Sequence, residues 1–217
     1  MIASKKKDII YQSIRREIIT LELEPGVLLK EADLSKQYNV SKTPVREALI
    51  VLAHEGFVEA IPRIGYRVTS VSMQDALEAF HLRALLEVEA TGLAAQRISD
   101  DEITALKENV YRESQFSQQS INYDTYWKLY QLNQEFHYSI ALASRNSRLA
   151  NLIKQLIDEM ERVLSWDPNL GEDFEDHNTI VDALEQRNKT TAEKAMKKHI
   201  EATRSRILDC FKHESDN

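Results

Sequence analysis

Three of the six histidines are spaced so that each falls on the apolar face of a predicted helix. They are His137, His177 and His199, and Asn133 precedes the first of them by one helical turn. Burying three imidazoles without a shared purpose would be costly. Neutral imidazole is a good ligand for a divalent metal, and helix bundles build such sites from facing helices. The spacing therefore favours a metal site if the three helices converge; three separate, satisfied core histidines are the alternative.

A second group of polar residues lies near the amino terminus and could contact nucleic acid. Lys42, Thr43 and Arg46 open a predicted helix, and Arg63 and Gly65 stand at the tip of a predicted hairpin. An arginine at a helix start can reach guanine with two hydrogen bonds, and a glycine at the tip allows close approach to a backbone. A surface helix with scattered basic residues is the alternative interpretation.

The distribution of glycine and proline divides the chain into two parts. Three of the five glycines and three of the four prolines precede residue 66. The rest of the chain is nearly free of both, as long helices require. We predict a mainly α protein, with a winged helix-turn-helix domain in residues 1–71 and an all-α antiparallel bundle of about six helices in residues 72–217.

Periodicity and turn residues place the elements within each part. The first part is predicted to hold helices near 5–21, 31–38 and 41–56 and strands near 57–61 and 66–70. The second part is predicted to hold helices near 73–97, 100–119, 123–144, 146–165, 173–187 and 189–212. The break at Asp167-Pro168-Asn169-Leu170-Gly171 predicts the clearest interior loop of the bundle.

The net charge of −7 is unevenly distributed. Residues 1–72 carry a net charge of +2 and the remainder −9, so DNA binding through the first part is compatible with an acidic body. We expect no membrane span, because no stretch approaches about 18 consecutive apolar residues. Cys210 is the only cysteine, which excludes an intrachain disulfide and fits a reducing cytoplasm.

One run in the first part is distinctive: Val40-Ser41-Lys42-Thr43-Pro44-Val45-Arg46-Glu47-Ala48-Leu49, followed by Glu55-Gly56-Phe57-Val58 and Gly65. This run resembles the winged-helix domain of the GntR family of bacterial regulators. The resemblance implies that Lys42, Thr43 and Arg46 contact DNA and that Gly65 lies at the tip of the wing. Lys42 stands where arginine is commoner, which exchanges a forked donor for a point charge.

Further runs lie in the second part: Asn133-Gln134-Glu135-Phe136-His137, Asn146-Ser147-Arg148-Leu149, Asp176-His177-Asn178-Thr179-Ile180 and His199-Ile200. These runs resemble the FCD effector-binding domain of the FadR-like subgroup of that family. The resemblance implies a divalent metal, such as zinc, nickel or manganese, bound by Asn133, His137, His177 and His199. Asn133 is neutral and a weaker donor than aspartate, and a polar, water-filled pocket is the alternative.

Arg83 lies on the helix that resembles the start of the same domain. Its guanidinium could bind the carboxylate of an organic-acid effector with two hydrogen bonds. The alternative is an ion pair with Glu87, four residues later, on a solvated helix face. The spacing leaves both interpretations open.

These features predict a cytoplasmic DNA-binding transcriptional regulator that is not an enzyme. A homodimer would bind a palindromic operator, and a small organic acid in the bundle would change its DNA affinity. A metal-dependent enzyme is the second hypothesis, although no general base is evident beside the histidines because Glu135 and Asp176 fall outside the inward faces. A metal that only stiffens the bundle is the third.

Overall fold

The computed structural model describes residues 2–116, 122–164 and 174–215. The chain divides into two compact units, Met1–Val71 and Ser72–Asn217. The predicted loop at residues 167–171 lies outside the described residues. Among those described, no helix combines the length and the apolar character that a membrane span needs.

The first unit is a winged helix-turn-helix, as predicted. Its elements, in chain order, are α1 (Ile2–Ile19), β1 (Leu28–Leu29), α2 (Glu31–Gln37), α3 (Lys42–His54), β2 (Val58–Ile61) and β3 (Gly65–Val68). The three strands form an antiparallel sheet in the order β1-β3-β2. Strand β1 was not predicted, because two residues are too short to show an alternating pattern.

The core of this unit lies between α1 and α3. Ile10 and Ile14 on α1 and Leu49 and Leu52 on α3 are fully buried, and these two helices pack against each other. Pro44 sits in the first turn of α3, where its missing N–H interrupts no helical hydrogen bond. The buried face of α3 fixes its orientation and leaves the opposite face exposed.

The second unit is an all-helical bundle. Its described helices are α4 (Met73–Arg97), α5 (Asp100–Ser114), α6 (Tyr123–Ala143), α7 (Ser147–Leu164), α8 (Phe174–Glu185) and α9 (Lys189–Ser215). Helix α4 packs against α6, α7 and α9, and α5 packs against α6 and α8. The predicted helix near 100–119 is shorter in the structure, because a turn follows Ser114.

Side-chain caps define the starts of three of these helices. Ser72 and Ser99 each form a reciprocal capping box, with Asp75 and Glu102, and the side chain of Asn122 accepts a hydrogen bond at the start of α6. Such caps satisfy backbone N–H groups that have no partner within the helix. They therefore fix the registers in which α4, α5 and α6 present their inward side chains.

Candidate functional site

The predicted DNA contacts of α3 lie on its exposed side. Lys42, Thr43 and Arg46 are exposed, whereas Pro44 and Val45, which lie between Thr43 and Arg46, are buried. This alternation follows from the helical period, because residues one turn apart share a face. The three side chains are thus together on one surface of the first unit.

Arg46 is engaged by a carboxylate on the preceding helix. Its Nε and Nη2 atoms each donate a hydrogen bond of 2.8 Å to Glu31, one to each carboxylate oxygen. The hydrogen bonds to Arg46 lower the pKa of the Glu31 carboxyl. The Arg46 side chain is nevertheless 60% exposed, so DNA could approach it, in competition with Glu31.

The hairpin between β2 and β3 carries the other two predicted DNA contacts. Arg63 is exposed and has a positive φ of 66°. Gly65 has a φ of 153°, and a Cβ atom there would clash with the carbonyl oxygen of Leu29. A side chain at position 65 would therefore separate β3 from β1, so the sheet requires glycine at this position.

The three predicted histidines come together in the interior of the second unit. His137 on α6, His177 on α8 and His199 on α9 are at most 2% exposed. Each offers a ring nitrogen, and these nitrogens lie within 4.8 Å of one another. The Nε2 atoms of His137 and His199 are 3.3 Å apart. The convergence that the sequence analysis had to assume is present in the structure.

The arrangement of these rings fits a divalent metal. Two nitrogens on one tetrahedral ion, with bonds of about 2.0–2.1 Å, lie about 3.3–3.4 Å apart, which matches the separation of the His137 and His199 Nε2 atoms. Burial lowers the pKa of His137, and burial together with the neighbouring imidazoles lowers that of His199 well below its usual value. Both rings are therefore neutral near pH 7, which is the form that binds metal.

Asn133, the fourth predicted ligand, is buried on α6, one helical turn before His137. Phe136 lies between the two in sequence, and its ring stacks on His177 with the centroids 4.0 Å apart. This stacking limits rotation of the His177 ring, so it helps to keep the imidazole in one orientation.

Two buried glutamates that the sequence analysis did not predict contact the histidines. Glu87 on α4 has an oxygen 2.6 Å from Nδ1 of His137. Glu113 on α5 has an oxygen 2.7 Å from Nδ1 of His177. Since a carboxylate can only accept, the His177 Nδ1–H donates this hydrogen bond. The spacing within α4 and α5 gave no sign of these contacts, because their partners lie on other helices.

Arg83 forms an ion pair with Glu87, which is one of the two alternatives left open by the sequence, but the pair is buried and not on a solvated face. Its Nε atom donates a 2.5 Å hydrogen bond to Glu87, and both side chains are 2% exposed. The Arg83 Nη2 atom is also 3.4 Å from Nε2 of His137. Burial alone would raise the pKa of Glu87, but the charge of Arg83 and the contact with His137 outweigh it and lower this pKa to about 2. Glu87 is thus an ionised carboxylate that bridges Arg83 and His137.

Comparison with known families identifies both units. Residues 6–68 match the family described as "Bacterial regulatory proteins, gntR family". Residues 78–202 match the family described as "FCD domain". The chain belongs to the GntR family of transcriptional regulators, in the group with an FCD domain. The names of this family and of the relatives are those of DNA-binding regulators rather than enzymes, so the metal-dependent enzyme hypothesis has no support.

Individual relatives agree with this assignment. The chain is 26% identical over 211 residues to the HTH-type transcriptional repressor RspR of Escherichia coli K12, covering 95% of this chain and 91% of that protein. It is 29% identical over 206 residues to a probable D-xylose utilization operon transcriptional repressor of Paenarthrobacter nicotinovorans, covering 93% and 86%. The solved structure of E. coli McbR/YncC has the same fold, with a TM-score of 0.79 at 21% identity, covering 95% and 98%.

Proposed function

We propose that this regulator binds a palindromic operator as a homodimer and that a small organic acid bound in the second unit changes its affinity for that operator. The observation that carries the proposal is that one chain combines a winged helix with an exposed basic face and a buried cluster of three histidines. A regulator of chromosomal genes would act in the cytoplasm. Relatives named as repressors support repression as the mode of action.

In this proposal the first unit reads the operator through α3 and the wing. Arg46 would contact a base in the major groove, Lys42 and Thr43 would contact the neighbouring backbone, and Arg63 beside Gly65 would contact the backbone or the minor groove. The exposure of the four side chains supports these roles. Two winged helices related by a dyad would match two half-sites of a palindrome.

Asn133, His137, His177 and His199 would hold a divalent metal of the zinc, nickel or manganese type. Such an ion would supply a Lewis-acid centre at which a carboxylate can bind. The buried, neutral imidazoles support this assignment. Arg83 would hold the second oxygen of the organic acid through donors that Glu87 does not use, since only its Nε bonds to Glu87 in the structure.

Coupling between the two units requires little energy. A ligand that favours one arrangement of the two DNA-binding units of the homodimer by about 1–3 kcal/mol changes operator affinity by about 5- to 150-fold. Residues on α4 are suited to transmit binding, because this helix carries Arg83 and Glu87 and begins at Met73, directly after the first unit.

The test begins with selection of bound duplexes from a random DNA library by the full chain. We expect a palindromic sequence to be enriched, and metal analysis of the same protein to give about one ion per protomer. Fluorescence anisotropy with the selected duplex then measures how EDTA and a panel of small carboxylic acids change the dissociation constant. Equal binding of all duplexes would overturn the regulator proposal, and a selected operator whose affinity no acid changes would overturn the effector proposal.

A further inference from the structure

The neutral Asn133 leaves the histidine cluster without an anionic ligand among the four predicted residues. Three imidazoles and an amide carry no charge, so they would hold a divalent cation less tightly than a set that includes a carboxylate. The two buried glutamates are not among these four residues, but they contact two of the histidines. Glu87 and Glu113 are each at most 2% exposed and each lies within 2.7 Å of a ring nitrogen of the cluster.

Both glutamates contact the same ring atom of their histidine. They face Nδ1 of His137 and of His177, so that Nε2 is the nitrogen each ring has available for a metal. His199 differs, because no carboxylate among the described residues forms an ion pair with its ring, whereas His137 and His177 each have one. A carboxylate at the far nitrogen fixes the tautomer and the orientation of an imidazole and makes it a stronger metal ligand.

We propose that Glu87 and Glu113 are positioning residues for the metal: they orient His137 and His177 and supply the negative charge that Asn133 lacks. Glu87 has a second partner, Arg83, which offsets part of its charge. Glu113 has no such cation in contact, since among the described residues its other carboxylate oxygen, Oε1, has no hydrogen-bond partner. The Glu113 carboxyl group therefore faces the cluster without a basic side chain beside it.

This inference rests on the proposed metal site, and its test measures metal binding rather than gene regulation. The variant is Glu113→Gln, which keeps the shape and a hydrogen-bond acceptor but removes the charge. Glu108→Gln is the matched control, because Glu108 lies on the same helix and is exposed. Affinities for Zn²⁺, Ni²⁺ and Mn²⁺ are measured on the full chain by competition with a chelator of known affinity.

We expect Glu113→Gln to weaken metal binding by about 10- to 100-fold and Glu108→Gln to leave it unchanged. The visible absorption spectrum of the Co²⁺-loaded protein should also change in Glu113→Gln, because a reoriented His177 alters the ligand field; a loss of fold stability alone would not do this. Asn133→Asp should restore much of the affinity when added to Glu113→Gln, since it returns a carboxylate to the site.

The outcomes separate this inference from the proposed function. Unchanged metal affinity and an unchanged Co²⁺ spectrum in folded Glu113→Gln would overturn the role of the glutamates while leaving the metal site intact. If the unmodified chain binds none of the ions, the metal part of the proposed function is wrong and the inference falls with it. Circular dichroism checks folding, and Glu87→Gln, for which we expect weaker metal binding as well, replaces Glu113→Gln if that variant does not fold.

Discussion

The buried Arg83–Glu87 ion pair predicts a large loss of stability when only one of its members is removed. Both side chains are 2% exposed, and Nε of Arg83 is 2.5 Å from Glu87. Arg83→Met leaves the Glu87 carboxylate buried without its main counter-charge, and loss of one partner of a buried pair costs about 3–5 kcal/mol. Because His137 also contacts Glu87 and can bind a proton in compensation, we expect a value near the lower end, about 3 kcal/mol.

Urea unfolding followed by tryptophan fluorescence measures this loss. Both tryptophans, Trp127 and Trp166, belong to the second unit, so their emission reports on that unit alone. With a slope of about 2 kcal/mol per molar urea, the midpoint of Arg83→Met should fall by about 1.5 M. The experiment is done in EDTA, so that bound metal does not contribute to stability.

The double variant Arg83→Met/Glu87→Leu provides the control. Because it removes both charges and fills the space with apolar groups, it should recover most of the lost stability. A midpoint of Arg83→Met equal to that of the unmodified protein would refute the reasoning. A double variant less stable than Arg83→Met would refute it as well, because the cost would then come from lost packing rather than from an unpaired charge.

Three further predictions concern positions outside the buried histidine cluster. Arg46→Ala should weaken binding to the selected operator at least fivefold, whereas Glu31→Gln should strengthen it about two- to fivefold by freeing Arg46. If fluorescence anisotropy shows weaker binding by Glu31→Gln, Glu31 does not compete with DNA for Arg46. Hydrogen bonds from Arg145 lower the pKa of Glu102 to about 2. The unmodified protein should therefore exceed Glu102→Gln in urea midpoint by about 0.2–0.5 M above pH 4.5, and this advantage should shrink as the pH falls towards 2; a constant difference between pH 7 and pH 3 would contradict it. Gly65→Ala should displace β3 from the backbone of β1. We expect a lower melting temperature of the first unit and weaker operator binding, with little change in helical circular dichroism. An unchanged operator affinity would show that the wing tolerates the shift.

The sequence predicts the helices well, because their apolar residues recur with a helical period over many residues. The three histidines could be assigned to inward faces for the same reason. Whether His137, His177 and His199 converge depends on how α6, α8 and α9 pack, which one-dimensional spacing does not contain. The structure shows this convergence, while the DNA contacts of Lys42, Thr43, Arg46, Arg63 and Gly65 and the ligand role of Asn133 stay predictions.

Charged residues in the core are the part that the sequence could not indicate. Arg83 and Glu87 have a spacing that predicts an ion pair, but such pairs are usually exposed, and only the packing of α4 against its neighbours shows that this one is buried. Glu113 has no partner at helical spacing, because its contact is with His177, 64 residues away. Burial of a charge by distant elements leaves no local pattern.

The order of strands in the wing has a consequence for synthesis of the protein. The central strand, β3, is the last of the three in sequence, and it pairs with β1 across about 40 residues and with β2 across a short turn. During translation neither β1 nor β2 has its partner strand until β3 has left the ribosome. The first unit therefore closes its sheet only after all of its helices have been synthesised. A nascent chain that stops before β3 has these helices but no closed wing with which to bind chromosomal DNA.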